Sequence, residues 1–531
     1  MLPIALIGSV GIALAPALAE AASATSTAGA ATPNPGLKVT LTTSPRSAFG
    51  YDAYVTVGGL LTGSAEVTVE WGDGSDSTFV DDAGAPTSHL THSYSRLGTY
   101  TITATANDGA GDTASSSASD LQTEGSEFTA YGPVRILDTR NGTGAKAAAL
   151  PAGGELHLQV TGAGLKDAVI PAGITAVVLN VTATEETANG VLTVCADQGP
   201  LGDPLGETDT SNLNFRTGQN IANLVVVPVG KNGVVDFYNG GSKGSAEVIA
   251  DVAGYFTQSN ALSYFPISPA RILDTRKGVG TGKVAQIPAN GSITLTVAGA
   301  DDGAISDDAS AVALSLTAVN ATHNGDITAY PANPAATVPN VSNLNYSPDA
   351  ATANTAIVPL SDIIGDGSKA GQIVLHNSGD GPVDLIADAV GYYAGGLPGG
   401  SAYVPLSSPN RFIDTRQPGD PVRGPVATQT PIPLAFGGPE EPFTAGVFNA
   451  TVVSPTGNGF LSLYPYNPDD PTAVPSTSNL NYRTGQTVPA LVTVPSGTQA
   501  NADDQYEIGI YLGGEGTAQV ILDWFGYYQN Q

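Results

Sequence analysis

The chain of 531 residues has one cysteine, Cys195, one methionine, two tryptophans and only 19 Lys and Arg against 48 Asp and Glu. A lone thiol closes no intramolecular disulfide, so each folded part must be held by its own core. Cys195 ends the alternating run Gly190-Val-Leu-Thr-Val-Cys195, where a small strand residue is a fuller account than a nucleophile. A net charge of −29 without any Lys/Arg cluster argues against a nucleic-acid partner, because neutralising phosphates needs a basic surface. The same deficit argues against an anionic membrane surface. The five histidines (His89, His92, His157, His323, His376) fall at unrelated places in the sequence. No metalloprotease His-Glu-x-x-His and no Gly-Lys-Ser phosphate loop occurs, so the expectation is a protein that is not an enzyme.

Long apolar runs are missing everywhere except Met1–Ala19, where Ala17-Leu18-Ala19 offers the small residues that signal peptidase accepts. The expectation is a signal peptide over 1–21, cleaved on export, with no membrane span after cleavage and a secreted or extracellular location, at the cell surface in the narrower form. No Lys or Arg precedes the run, the first being Lys38, so retention as an anchor stays open; 19 residues barely span a bilayer. Residues 22–36 have the Ala/Ser/Thr/Gly/Pro composition of a flexible linker.

What the chain has in quantity is Gly, at 65 residues, and Pro, at 38, beside 41% hydrophobic residues. That mixture suits many short strands joined by tight turns, and the length suits about four domains. Residues 37–123 alternate apolar and hydroxyl side chains at period two, as in Val67-Thr-Val-Glu-Trp71 and Thr99-Tyr-Thr-Ile-Thr-Ala-Thr105. Within them, Trp71-Gly-Asp73-Gly-Ser75 and His92-Ser-Tyr94…Gly98-Thr-Tyr100 resemble the two signature motifs of the PKD-domain family. That resemblance implies an immunoglobulin-like sandwich and a role in extracellular contacts or spacing. The glycines flanking Asp73 allow a tight turn in which its carboxylate accepts backbone N–H bonds.

The remainder repeats itself three times. Arg135-Ile-Leu-Asp138-Thr-Arg140 returns as Arg271…Asp274…Arg276 and Arg411…Asp414…Arg416. Ser211-Asn212-Leu-Asn214 returns as Ser342-Asn343-Leu-Asn345 and Ser478-Asn479-Leu-Asn481. Each copy closes on an Asp followed by Gly and two aromatics: Asp251…Gly254-Tyr255-Phe256, Asp388…Gly391-Tyr392-Tyr393 and Asp523…Gly526-Tyr527-Tyr528. The copies run over 127–258, 262–396 and 401–529, and each reads as a β-sandwich or β-barrel of eight or more strands. The fold class expected is all-β, an immunoglobulin-like sandwich followed by three such repeat domains. The motifs resemble an uncharacterised module found in tandem in secreted actinobacterial proteins, which implies extracellular location and no settled activity.

The recurring side chains have two readings. Arg135, Asp138 and Arg140 fix a turn through compensated charge, or they line a notch for a sugar carboxylate or hydroxyl; Arg271, Asp274, Arg276, Arg411, Asp414 and Arg416 stand likewise. On a straight strand Arg135 faces away from Asp138, so a trio requires a bend. Asn212, Asn214, Asn343, Asn345, Asn479 and Asn481 cap turns or grip hydroxyls. Tyr255, Tyr392 and Tyr527 pack in a core or stack on a sugar face. In each case the structural role leads. Paired acids such as Asp138 and Asp251 leave a glycoside hydrolase as a remote alternative. No cofactor is expected; calcium is a candidate at the acidic pairs Asp81-Asp82, Asp301-Asp302, Asp307-Asp308, Asp469-Asp470 and Asp503-Asp504. The leading function is multivalent binding of cell-wall or extracellular polysaccharide, with self-assembly against neighbouring surface-protein subunits as the alternative.

Overall fold

The structure is a computed structural model, and it describes residues 35–60, 63–197, 210–230, 232–333, 337–348, 350–361, 371–437, 443–497 and 506–530. The expected signal peptide, linker residues 22–34 and Asp503-Asp504 lie outside the described residues. Among the described residues every regular element is a strand, so the chain is all-β. It divides into two compact units: Met1–Leu41, Val55–Ser88 and Ile102–Ser117 in one, and Thr42–Tyr54, His89–Thr101 and Ala118–Gln531 in the other.

Residues 38–122 form a four-stranded sheet (Asp76–Asp82, Ser64–Glu70, Thr99–Asn107, Thr113–Gln122, in spatial order) and a three-stranded one (Lys38–Ser47, Gly50–Gly58, Ser88–Ser93). Period-two patterning appears directly: Ala65, Val67 and Val69 are buried while Ser64, Glu66 and Glu70 are exposed. After Trp71 the chain turns through Gly72 and Gly74, at φ +87° and +93°, values an L side chain rarely adopts. Asp73 Oδ1 accepts from Ser75 N (3.0 Å) and Oγ (2.6 Å) in that turn.

Each repeat is built on two antiparallel runs of four strands, and the first and third copies add a two-residue fifth strand (Leu150–Pro151, Val426–Ala427) to the inner one. In the first copy the inner sheet runs Ile221–Pro228, Ile174–Thr184, Ser245–Thr257, Glu127–Asp138; the outer runs Glu155–Gln159, Val234–Asn239, Gly190–Ala196, Leu213–Phe215. The second and third copies repeat these two four-strand orders. Strand Ile174–Thr184 is apolar on both faces for a reason. Val177, Leu179, Val181 and Ala183 meet the outer sheet in the copy's own core, whereas Ala176 and Val178 point into a further core built from the inner sheets of all three copies. Period-two alternation marks half-buried strands only, so this second buried face reads in sequence merely as a continuous apolar run. The expectation that each module holds itself is therefore incomplete: each has its own core, and a fourth is shared.

The shared core closes as a ring. Phe128 bridges Leu262 of the second copy, Tyr264 bridges Ser401 of the third, and Tyr403 bridges Ser126 of the first, each through two backbone hydrogen bonds or a reciprocal pair. Inside lie six aromatic rings in cyclic contact. Centroid separations from Phe128 through Tyr393, Tyr264, Tyr528, Tyr403 and Phe256 back to Phe128 are 4.4, 5.0, 4.3, 5.2, 4.7 and 5.4 Å. The second aromatic of each closing motif supplies half of them. The motif's glycine leaves room for the other half: a Cβ on Gly254, Gly391 or Gly526 would sit 2.2–2.4 Å from the side chain of Phe128, Tyr264 or Tyr403. Burying each large side chain here contributes roughly 1.5–3 kcal/mol, so the copies hold together by their cores and not only by their linkers.

Candidate functional site

The Arg-x-x-Asp-Thr-Arg segment ends the first strand of the inner sheet. Pairing with the last strand slips there: Leu137 faces Ala250, but Arg135 faces Asp251, leaving Ile136 as a bulge. This is the bend a straight strand lacked, and it brings Arg135 to the same side as Asp138. Arg135 donates to Asp251 from Nε (2.8 Å) and Nη2 (3.2 Å), and Nη1 reaches Asp138 at 3.5 Å. Asp138 also accepts from Arg140 through N (3.1 Å), Nε (2.9 Å) and Nη2 (2.7 Å). The second copy repeats the bidentate pair, Arg271 to Asp388 at 2.8 and 3.0 Å and Arg276 to Asp274 at 2.9 and 2.8 Å. The third does so through Arg411 to Asp523 at 2.5 Å and Arg416 to Asp414 at 2.8 and 2.6 Å.

The hydrogen-bonding guanidinium beside each of Asp138, Asp274 and Asp414 holds its carboxyl below the usual carboxylate range, against the opposing effect of burial. A carboxylate so held is an ion-pair partner and a poor proton donor at neutral pH. Asp251 goes the other way: burial raises its carboxyl, against the hydrogen-bonding Arg135.

The Ser-Asn-Leu-Asn segment is equally well used. Asn212, Asn343 and Asn479 each accept a backbone N–H of the neighbouring strand, from Val194, Ala329 and Leu463, at 2.7, 2.7 and 2.6 Å. Leu213, Leu344 and Leu480 fill the three module cores. Asn214 and Asn481 reach the Ser Oγ of their own motif at 3.3 and 3.5 Å. The tyrosines are engaged by rings of their own copy: Tyr255 by Tyr131 (6.0 Å), Tyr392 stacked on Phe265 (5.0 Å), Tyr527 by Phe443 (4.3 Å). Cys195 is buried, and its thiol is pushed up to about 12, first by burial and then by nearby acids. It is therefore kept as the thiol.

The Ser-Asn-Leu-Asn segment of each copy is held by the inner sheet of another. Asn180 Nδ2 donates to Ser342 O (2.5 Å), Ser315 Oγ to Ser478 O (3.0 Å) and Asn449 Nδ2 to Ser211 O (2.5 Å), so each copy grasps the next around the ring. Asn354 adds a bond to Asn180 Oδ1 (2.9 Å) and Asn223 one to Asn449 Oδ1 (3.0 Å). Between the first and second copies this leaves a polar notch of about 250 Å³. Arg135, Arg140, Thr182 and Asn220 wall one side; Asp326, Asn340, Ser342 and Asn345 wall the other. Thr182 is 4% exposed, yet its Oγ1 has no hydrogen-bond partner among the described residues, and neither has Asn345 Nδ2. Burial raises the Asp326 carboxyl, opposed first by the hydrogen bond to Ser378 and less by His376 and, across the interface, Arg135.

The corresponding interfaces are different. Asp326 pairs with Asn345, but Phe460 pairs with Asn481 and Val191 with Asn214, so the acid belongs to one interface of the three. At the second interface Arg271 Nη2 instead reaches Ser476 O at 3.3 Å. Of the residues singled out in the sequence, Arg135, Arg140 and Asn345 come together in the notch. Thr182, Asn220, Asp326 and Asn340 were missed. A visible signal was Asn180, a polar residue inside an otherwise apolar strand.

No family model matches the chain, and no curated protein matches it. One solved structure, described as "Structural basis for the promiscuous specificity of the carbohydrate-binding modules from the beta-sandwich super family", is similar at 13% identity over 68% of this chain and 99% of its own. Its TM-score is 0.16, which carries no argument for the site.

Proposed function

We propose that the chain is a secreted or cell-surface protein that binds cell-wall or extracellular polysaccharide, with the notch between its first and second copies as the contact. The observation that carries this reading is the pair of unpaired polar atoms, Thr182 Oγ1 and Asn345 Nδ2, lying in a cavity flanked by two guanidinium groups. Buried polar groups are nearly always hydrogen-bonded, and an unsatisfied amide and hydroxyl within the wall of a notch flanked by arginines are the groups that a ligand's oxygens would satisfy. The five donors of an arginine fork exceed what Asp138 takes from Arg140, leaving N–H groups for a sugar carboxylate or hydroxyl. Residues 37–123 serve in this reading as a spacer or a further contact, and export depends on residues 1–21.

The test is depletion of the chain from Ala22 onward by cell walls and a panel of insoluble polysaccharides, acidic and neutral. Retention on a glycan that falls about tenfold when Asn345→Ala is combined with Thr182→Val supports the proposal, since losing two hydrogen bonds to ligand costs on the order of 1–3 kcal/mol. No depletion by any glycan, together with ordered particles forming as concentration rises, would replace it with a self-assembling surface subunit.

A further inference from the structure

The outer sheet of the first copy carries a set of side chains found in neither other copy. Strand Glu155–Gln159 pairs with Val234–Asn239 so that His157 lies opposite Asp236, and Glu155 stands two residues along on the same face. That face is turned away from the module core, into which Val235 and Phe237 point instead. His157 Nδ1 is 2.6 Å from Asp236 Oδ1. One ligand atom each from Glu155, His157 and Asp236 lies within 4.8 Å of the others. Asp236 is 2% exposed, and Glu155 Oε1 is buried without a hydrogen-bond partner.

The fold does not require this set. Strand register places Thr294 and Val374 of the second copy where His157 and Asp236 stand, and Pro433 and Gly509 of the third. Beside them, where the first copy has Cys195, the others bury Tyr330 and Tyr464. Two copies therefore build the same sheet with neutral side chains at these positions. The first has exchanged them for two carboxylates and an imidazole at close range, an arrangement that repels itself unless a cation is shared.

We propose that Glu155, His157 and Asp236 bind a divalent transition-metal ion of the zinc class. Carboxylates alone would suit calcium or magnesium; an imidazole nitrogen among the ligands turns the preference to zinc and its neighbours. The ion takes the place of the proton that His157 and Asp236 share, and Glu155 Oε1 gains the partner it lacks. Three protein ligands leave a fourth position for water or a ligand group.

The experiment uses the untagged full chain, stripped with a chelator and dialysed against zinc chloride, with bound metal counted per chain. One zinc retained at micromolar free metal is expected. His157→Thr and Asp236→Val, which install the second copy's own side chains, should each weaken retention about tenfold or more, as loss of a ligand does at least as severely as loss of an outer-shell partner. Their circular dichroism and melting without metal should match the parent, because the second copy folds with those residues. Absence of zinc from the parent chain, or equal retention by both variants, would overturn the site. Retention of calcium chloride at the same strength as zinc would overturn the class of metal.

Discussion

Where the first copy buries Glu186 just past a strand, the second has Ala321 and the third Pro455, each after a residue at positive φ (Glu185, Asn320, Ser454). Where the first has Glu155, His157 and Asp236, the others have neutral residues. Yet Arg135, Arg271 and Arg411 make the same ion pairs in all three copies. The comparison separates two kinds of polar residue. Those that recur hold the module and the ring; those that do not are absent from two working copies of the fold and are free to carry chemistry. The notch follows the same division, being built on recurring arginines and a recurring threonine (Thr182, Thr317, Thr451) and made distinct by Asp326.

The largest expected effect tests the recurring set. Arg135→Ala leaves Asp251 buried without its cation, Asp138 keeping Arg140, and should cost about 3–5 kcal/mol in chemical denaturation. Arg271→Ala and Arg411→Ala should cost the same; a loss confined to one copy would break the equivalence. Next, Gly391→Ala or Gly526→Ala drives a methyl into the aromatic ring and should cost about 1–3 kcal/mol, read from the same denaturation midpoint.

Glu186 sharpens the contrast through pH. Burial pushes its carboxyl up to about 7, against the backbone N–H groups of Glu186 itself and of Gln219. A raised acid contributes stability that is complete below its unfolded value of 4.5 and is lost as pH rises through about 7. Glu186→Ala, the second copy's residue, should therefore stabilise the chain by on the order of 2–3 kcal/mol at pH 9 and not at pH 4. Melting curves at both values check it. The depressed Asp138, Asp274 and Asp414 act oppositely: their contribution is present above the ordinary carboxylate range and lost as pH falls through their lowered values. Smallest is Thr182→Val, expected within about 1 kcal/mol of the parent in stability because it removes a hydroxyl that bonds nothing.

The strands, the repeat and the Asp73 turn were legible in sequence because each is local: alternation at period two, motif recurrence and glycine on both sides of a carboxylate. The Arg135 bulge was legible as a need, since the trio could not form on a straight strand, though not as a position. The ring was hidden. Ala176 and Val178 look like any apolar strand residues, and nothing local says that they face another copy, nor that the Asn motif of one copy would be held by the inner sheet of another. His157 was visible only as a histidine without counterpart, and its partner Asp236 lies 79 residues away.

The closed ring is tested most directly by cutting it. A protease site placed in the exposed Gly395–Gly400 linker would sever the second copy from the third. After cleavage, size-exclusion chromatography should return both pieces in one peak at the intact mass, parting only in denaturant, because the shared core and the Ser126–Tyr403 and Tyr264–Ser401 bridges still join them. Two separate native peaks would contradict the shared core and return the three copies to independent domains on a string.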